Sequence, residues 1–159
     1  MVAVGPLSDN VSGDQFVAFY LPEGLRPPRE DLPEVLAKAH MGRWLETLLL
    51  IGLCLLISRD TLNAYGLLDE ACELGADDLE LAWRLRRLGL QLRIATAAFV
   101  FHIGSASFDT LPSPERTERV ARSDAALADK LMAFHTQYPV PSSQTIWGCA
   151  VFEEALTKS

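Results

Sequence analysis

The chain has 159 residues, 49% of them hydrophobic, with 14 basic against 21 acidic residues and a formal charge of -7. That length and apolar content suit one domain with a real core and argue against disorder over most of the chain. The acidic balance repels phosphate backbones and anionic lipid surfaces, so nucleic acid is not an expected partner. Cys54, Cys72 and Cys149 are widely spaced and form no CxxC or Cys/His cluster; they read as reduced thiols of a cytoplasmic protein and not as zinc ligands.

Residues 1–6 predict a short strand that stops at Gly5-Pro6, followed by a polar loop through Ser8, Asp9, Asn10, Ser12, Gly13, Asp14 and Gln15. A strand at the first residue reads as a sheet entered in its middle. Residues 16–21 are apolar and run into a Pro/Gly-rich loop at 22–28. Over 29–44, Leu32, Val35, Leu36, Ala39 and Trp44 recur near a helical period and predict a helix, with Pro33 acceptable in its first turn. Residues 48–57 are the most apolar segment, but at about ten residues they fall short of the roughly twenty that a membrane-spanning helix needs. They read as a buried strand, and nothing near Met1 suggests export.

Ser58 is a candidate N-cap for a short helix over 59–65, which Gly66 can close in the left-handed conformation. After a loop at 69–75, Asp77 opens a central helix whose Leu81, Leu85 and Leu88 follow i, i+4, i+7 spacing before Gly89 ends it. Residues 90–95 and 98–103 read as two strands. Pro112 and Pro114 precede a helix over 115–135 with Val120, Leu127, Leu131 and Phe134 on one face; the apolar run 146–152 suggests no particular element. Alternating strands and helices predict an α/β class.

Four features carry possible chemistry. Asp77 and Asp78 lie where the unpaired N–H groups and dipole of a helix N-terminus favour carboxylates. One of them can be a simple N-cap while the other points into a cleft and accepts a proton, its pKa raised by its like-charged neighbour. His102 ends a predicted strand and is either a satisfied turn histidine or a metal ligand. Gly52 inside an apolar strand implies a close approach, by a packed helix or by a ligand. Arg84, Arg86 and Arg87 fit a solvated helix face better than a phosphate site.

Taken in order, these segments resemble family 2 (GT-A type) glycosyltransferases over most of residues 1–108. Val4-Gly5-Pro6 with its polar loop to Gln15 is similar to the segment after the family's metal-binding strand. Gly52-Leu-Cys-Leu-Leu-Ile-Ser-Arg-Asp60 is similar to its "G-x-C-x-L-I-R-R" strand, and Tyr65-Gly-Leu-Leu-Asp-Glu70 to its "G-G-F-D-E" turn. Asp77-Asp78-Leu79-Glu80-Leu81 with Arg84, Arg86 and Gly89 resembles "E-D-x-D-L-x-x-R-x-R-x-x-G", and His102 with Gly104-Ser-Ala-Ser-Phe108 resembles "H-x-x-G-S-x-S-F".

The resemblance implies a partial GT-A fold, a mixed sheet with packed helices, in residues 1–108, and a helical extension in 109–159. It implies an inverting transfer from a nucleotide-diphospho-sugar to an acceptor glycan or lipid-linked sugar. Asp78 would be the general base, Asp77 and Gln15 would bind the acceptor, and His102 would reach a divalent Mg or Mn ion in a crevice that Asp78 also faces. No D-x-D motif is present, and the N-terminal nucleotide-binding half is absent, so the 159 residues alone are expected to be inactive. The alternative is a non-catalytic interaction module that forms a homodimer through an exposed sheet edge.

Overall fold

In the computed structural model the first strand, β1 (Ala3–Ser8), lies at the centre of the fold; residues 3–104, 112–135 and 146 are described. It runs parallel to β4 (Leu92–Val100), which pairs on its other side with antiparallel β2 (Trp44–Thr47). The two-residue β3 (Leu56–Ile57) lies antiparallel against the start of β1. The result is a mixed four-stranded sheet of order β2-β4-β1-β3 with helices packed on it, an α/β layer.

The break expected between 95 and 98 is an irregularity within one continuous strand. Pro6 faces Ala95, yet Leu7 faces Phe99, so the ladder skips part of β4 at that point. Proline has no N–H to donate, and the carbonyl of Pro6 is taken by the Gln15 side chain at 2.9 Å.

Two other expectations change. The helix expected over 29–44 is a 3-10 turn (Arg29–Asp31) followed by α1 (Leu32–His40), with Pro33 in the first helical turn; Trp44 opens β2 instead. The strand expected over 48–57 shrinks to Leu56–Ile57. Its first part is a loop because side chains take its amides: Thr47 Oγ1 accepts from Leu49 N–H at 3.3 Å, Gln15 Oε1 from Ile51 N–H at 2.6 Å, and Asp78 Oδ2 from Gly52 N–H at 2.8 Å. Leu49 and Leu50 are nonetheless buried. An apolar run reports burial and leaves the choice between strand and loop to whatever satisfies the backbone.

The short helix α2 (Arg59–Tyr65) follows the sequence signals. Ser58 Oγ accepts from Thr61 N–H at 3.1 Å, and Gly66, at φ 93°, ends the helix in a region few other residues enter. The central helix α3 (Asp77–Arg87) packs through Leu81, Ala82 and Leu85 near Ala3 and Leu92 of the sheet. Leu88, expected on the same stripe, is exposed past the helix end, where Leu90 N–H returns to the Leu85 carbonyl.

The last helix, α4 (Ser113–His135), joins this core through Leu127 and Leu131, while Phe134 meets Trp83 edge-on at 5.5 Å. Apart from Ile146, which is buried, the apolar run 146–152 lies outside the described residues. Among the described residues no helix is long and apolar enough to cross a membrane.

Candidate functional site

Asp78 is the second residue of α3, and neither it nor Asp77 is the N-cap. That position falls to Ala76, which has no side-chain oxygen and a left-handed backbone at φ 58°. A non-glycine residue there costs roughly 1 kcal/mol, and such strain collects at positions the surrounding structure holds in place. Asp78 Oδ1 accepts from Leu79 N–H at 2.8 Å, and Oδ2 reaches out of the helix to Gly52 N–H, also at 2.8 Å. Burial pushes the Asp78 carboxyl above the usual aspartate value, the Gly52 N–H opposes that rise, and the charge of Asp77 adds to it. A carboxylate so placed takes up a proton more readily than an exposed one.

Gly52 lies at a turn, not inside a strand. A Cβ there would meet Asp78 Cβ at 3.3 Å and Oδ2 at 3.5 Å, so the close approach inferred from the sequence is the approach of α3. Beside this contact an open groove of about 540 Å³ is walled by Leu55, Ile57, Leu62, Leu67 and Leu68. Gly52 and Leu81 complete its lining, and Leu55 and Leu81 also border the small cavity that Asp78 lines.

The loop carrying Leu67 and Leu68 is held by a buried ion pair. Glu80, 1% exposed, receives Arg84 Nε at 2.9 Å and Nη2 at 3.0 Å. Arg84 Nη2 also donates to the Leu67 carbonyl at 2.7 Å, and Nη1 donates to the carbonyl of Tyr65 at the end of α2. Lys130 of α4 bridges Asp69 and Glu80, standing 3.5 Å from the latter. The solvated face expected for the arginines holds for Arg87, which is exposed, and fails for Arg84 and Arg86, which are partly buried. Arg84 is a clamp; Arg86 donates to the carbonyls of Leu48, at 2.9 Å, and Ile146, and burial pulls its pKa down. Arg87 stacks over Trp83 and Phe134, each at 4.7 Å. The i, i+4 spacing of Glu80 and Arg84 was the signal available for the clamp; nothing in the sequence ties Lys130 to Asp69.

His102 lies beyond the far end of the β1–β4 pair. Its Nδ1–H donates to the Asn10 carbonyl at 2.7 Å, so in the neutral ring the lone pair lies on Nε2. Its backbone N–H approaches Asp9 Oδ1 at 3.4 Å, and Asn10 Nδ2 donates to its carbonyl at 3.2 Å. Asp9 is paired with Arg29, and that hydrogen bond holds its carboxyl below the usual range against the opposing effect of burial. Arg29 also lies 4.7 Å over the Phe101 ring.

His102 thus has the tautomer of a metal ligand, but among the described residues no group of three His, Cys, Asp or Glu side chains is arranged to hold an ion. Among the described residues, the neighbouring Asp9 carboxylate is committed to Arg29.

The remaining candidates divide as follows. Gln15 is 1% exposed, and both ends of its amide bind backbone, at Pro6 and Ile51, so it ties the loop before β3 to β1. Asp77 adjoins Asp78 and acts on it through charge. Asp78 lies with Ala3 and Leu92 at one end of the parallel pair, whereas His102 follows the Ser8–Val100 end. The six residues of β1 separate these levels by roughly 16 Å. The single crevice expected to hold both groups is not formed by the described residues. Comparison with protein-family models, curated proteins and solved structures gives no match.

Proposed function

We propose that this chain is the acceptor-side portion of an inverting glycosyltransferase of the GT-A type, with Asp78 as general base. The observation that carries the reading is the Gly52–Asp78 hydrogen bond at 2.8 Å. It joins two of the sequence blocks on which the resemblance rests, 26 residues apart, at a carboxylate whose pKa is raised.

In the proposed step the Asp78 carboxylate accepts the proton of an acceptor hydroxyl as that oxygen attacks the anomeric carbon of the donor sugar. The new C–O bond forms on one face while the bond to the nucleoside diphosphate breaks on the other, and the diphosphate leaves with the bonding pair. The configuration inverts, and the proton on Asp78 then passes to solvent. The Gly52 and Leu79 N–H groups fix the carboxylate and leave it lone pairs for the hydroxyl. Asp77 keeps the base protonatable and adjoins the acceptor.

A divalent ion bound with the donor would neutralise charge on the leaving diphosphate; His102 is the residue the resemblance assigns to it, although it lies at the other end of the β1–β4 pair from Asp78 and no metal-holding group forms around it among the described residues. The second partner is a nucleotide-binding half with a D-x-D motif, which these 159 residues lack, so the chain alone gives no transfer. Calorimetry with uridine diphosphate and manganese tests the reading. Binding that His102→Ala removes assigns His102 to the ion; an Asp78 carboxyl that titrates at or below the ordinary aspartate value of about 3.9 removes the base and favours the second reading. That alternative, a non-catalytic pairing module, draws on β2, an edge strand whose Trp44 and Leu45 are exposed.

A further inference from the structure

We propose that Ser123 of α4 is a positioning residue for Asp78, acting through the loop that leads into α3. The functional meaning of that position rests on the reading of Asp78 given above; the link from Ser123 to Asp78 does not.

The residues just before α3 carry an unfavourable backbone. Gly75 and Ala76 both lie in the left-handed region, at φ 86° and 58°, and Asp77 N–H turns back to the Gly75 carbonyl at 2.8 Å. Glu80 N–H donates to the Ala76 carbonyl at 2.8 Å, so the first turn of α3, which carries Asp78, is built directly on the strained residue. A non-glycine residue keeps such a conformation where its surroundings hold it in place. On one side the hold is the helix itself.

On the other side it is α4. Leu74 N–H donates to Ser123 Oγ at 2.9 Å, and the same hydroxyl donates to the Arg119 carbonyl at 3.1 Å. Bonding back to a carbonyl four residues earlier is ordinary for a helical serine. Accepting an amide from a remote loop while 0% exposed is a separate role. Glu73 also pairs with Arg119, at 2.6 Å, and with Arg122, but those groups are partly exposed and such pairs are weak. The buried tie next to Gly75 and Ala76 is therefore the Ser123 hydroxyl. Without it the loop can leave the left-handed conformation, and the first turn of α3 then shifts against Gly52, whose N–H meets Asp78 at 2.8 Å.

The test follows the Gly52 amide proton by NMR across the range of carboxylate titration, because its shift reports ionisation of the carboxylate to which it donates. Three variants of the 159-residue chain are compared with wild type. Ser123→Ala removes the hydroxyl, and Ser123→Cys keeps nearly the same size with a weak sulfur acceptor, which guards against loss of folding through a cavity. Phe134→Leu loosens α4 at its Trp83 contact and controls for general destabilisation. Both Ser123 variants are expected to shrink the pH-dependent excursion of the Gly52 amide about twofold or more, since a hydrogen bond weakens steeply with misalignment, and Phe134→Leu is expected to preserve it. An excursion unchanged in the folded Ser123 variants overturns the proposal. So does an equal loss in Phe134→Leu, because Ser123 then acts through packing alone. If the Ser123 variants shrink the excursion but its wild-type midpoint lies at or below about 3.9, Ser123 positions Asp78 and Asp78 is not the base.

Discussion

The backbone N–H of Gly52 and Oδ2 of Asp78 meet at 2.8 Å, so an exposed glycine at a turn of an apolar loop holds the carboxylate at the mouth of the central helix. The approach of α3 is close: a Cβ at position 52 would meet Asp78 Cβ at 3.3 Å, tighter than ordinary contact.

Gly52→Ala is the direct perturbation. The added Cβ presses on Asp78 Cβ, which the helix backbone fixes, so the loop must move and the hydrogen bond lengthens. The expected loss is about 1–3 kcal/mol, read by chemical denaturation. The Asp78 pKa should rise further, because the Gly52 N–H now lowers it.

Asp78→Asn separates function from stability. Because the folded pKa lies above the unfolded value, the folded state binds more protons in that window, and this group's contribution to stability falls as pH rises through it. Wild type should therefore gain stability relative to Asp78→Asn as pH is lowered from the raised folded value to about 3.9. Denaturation midpoints of the two proteins across pH 3 to 7, a range set by carboxylate titration, check the sign. A difference that grows in the opposite direction rules out a raised Asp78 pKa.

The Asp9–Arg29 pair should behave with opposite sign. Its lowered carboxyl pKa contributes stability above the unfolded value, and that contribution is lost as pH falls through the folded value. Arg29→Ala should raise the Asp9 titration midpoint with little change in thermal stability, since Arg29 is exposed. Carboxyl NMR reads the first effect and a melting curve the second.

Breaking the clamp should be costly. Arg84→Met leaves Glu80 buried with only Lys130 nearby, and the expected destabilisation is about 3–5 kcal/mol. The double variant Glu80→Met with Arg84→Met should recover part of that loss, because no buried charge is then left unpaired. Urea denaturation of the three proteins measures the coupling.

The sequence made some of this plain. The helix bounded by Ser58 and Gly66 is legible because capping chemistry is local, and the helix opening at Asp77 because Leu81 and Leu85 keep the helical period, its cap being Ala76 and not an aspartate. The strand expected at 48–57 is reduced to Leu56–Ile57, because amides of its first part are satisfied by Gln15 and Asp78, residues remote in sequence. The same remoteness hid the site's support: Gln15 reads as a polar loop residue and is a buried tether, and Lys130 reads as a surface charge and bridges Asp69 to Glu80. Local signals place elements; the contacts that join them depend on where the chain returns.

The most direct test of Asp78 as a proton acceptor is the carboxyl-carbon NMR titration of that residue, assigned by its loss in Asp78→Asn. The account predicts a midpoint above the ordinary value of about 3.9. A midpoint at or below that value would contradict it.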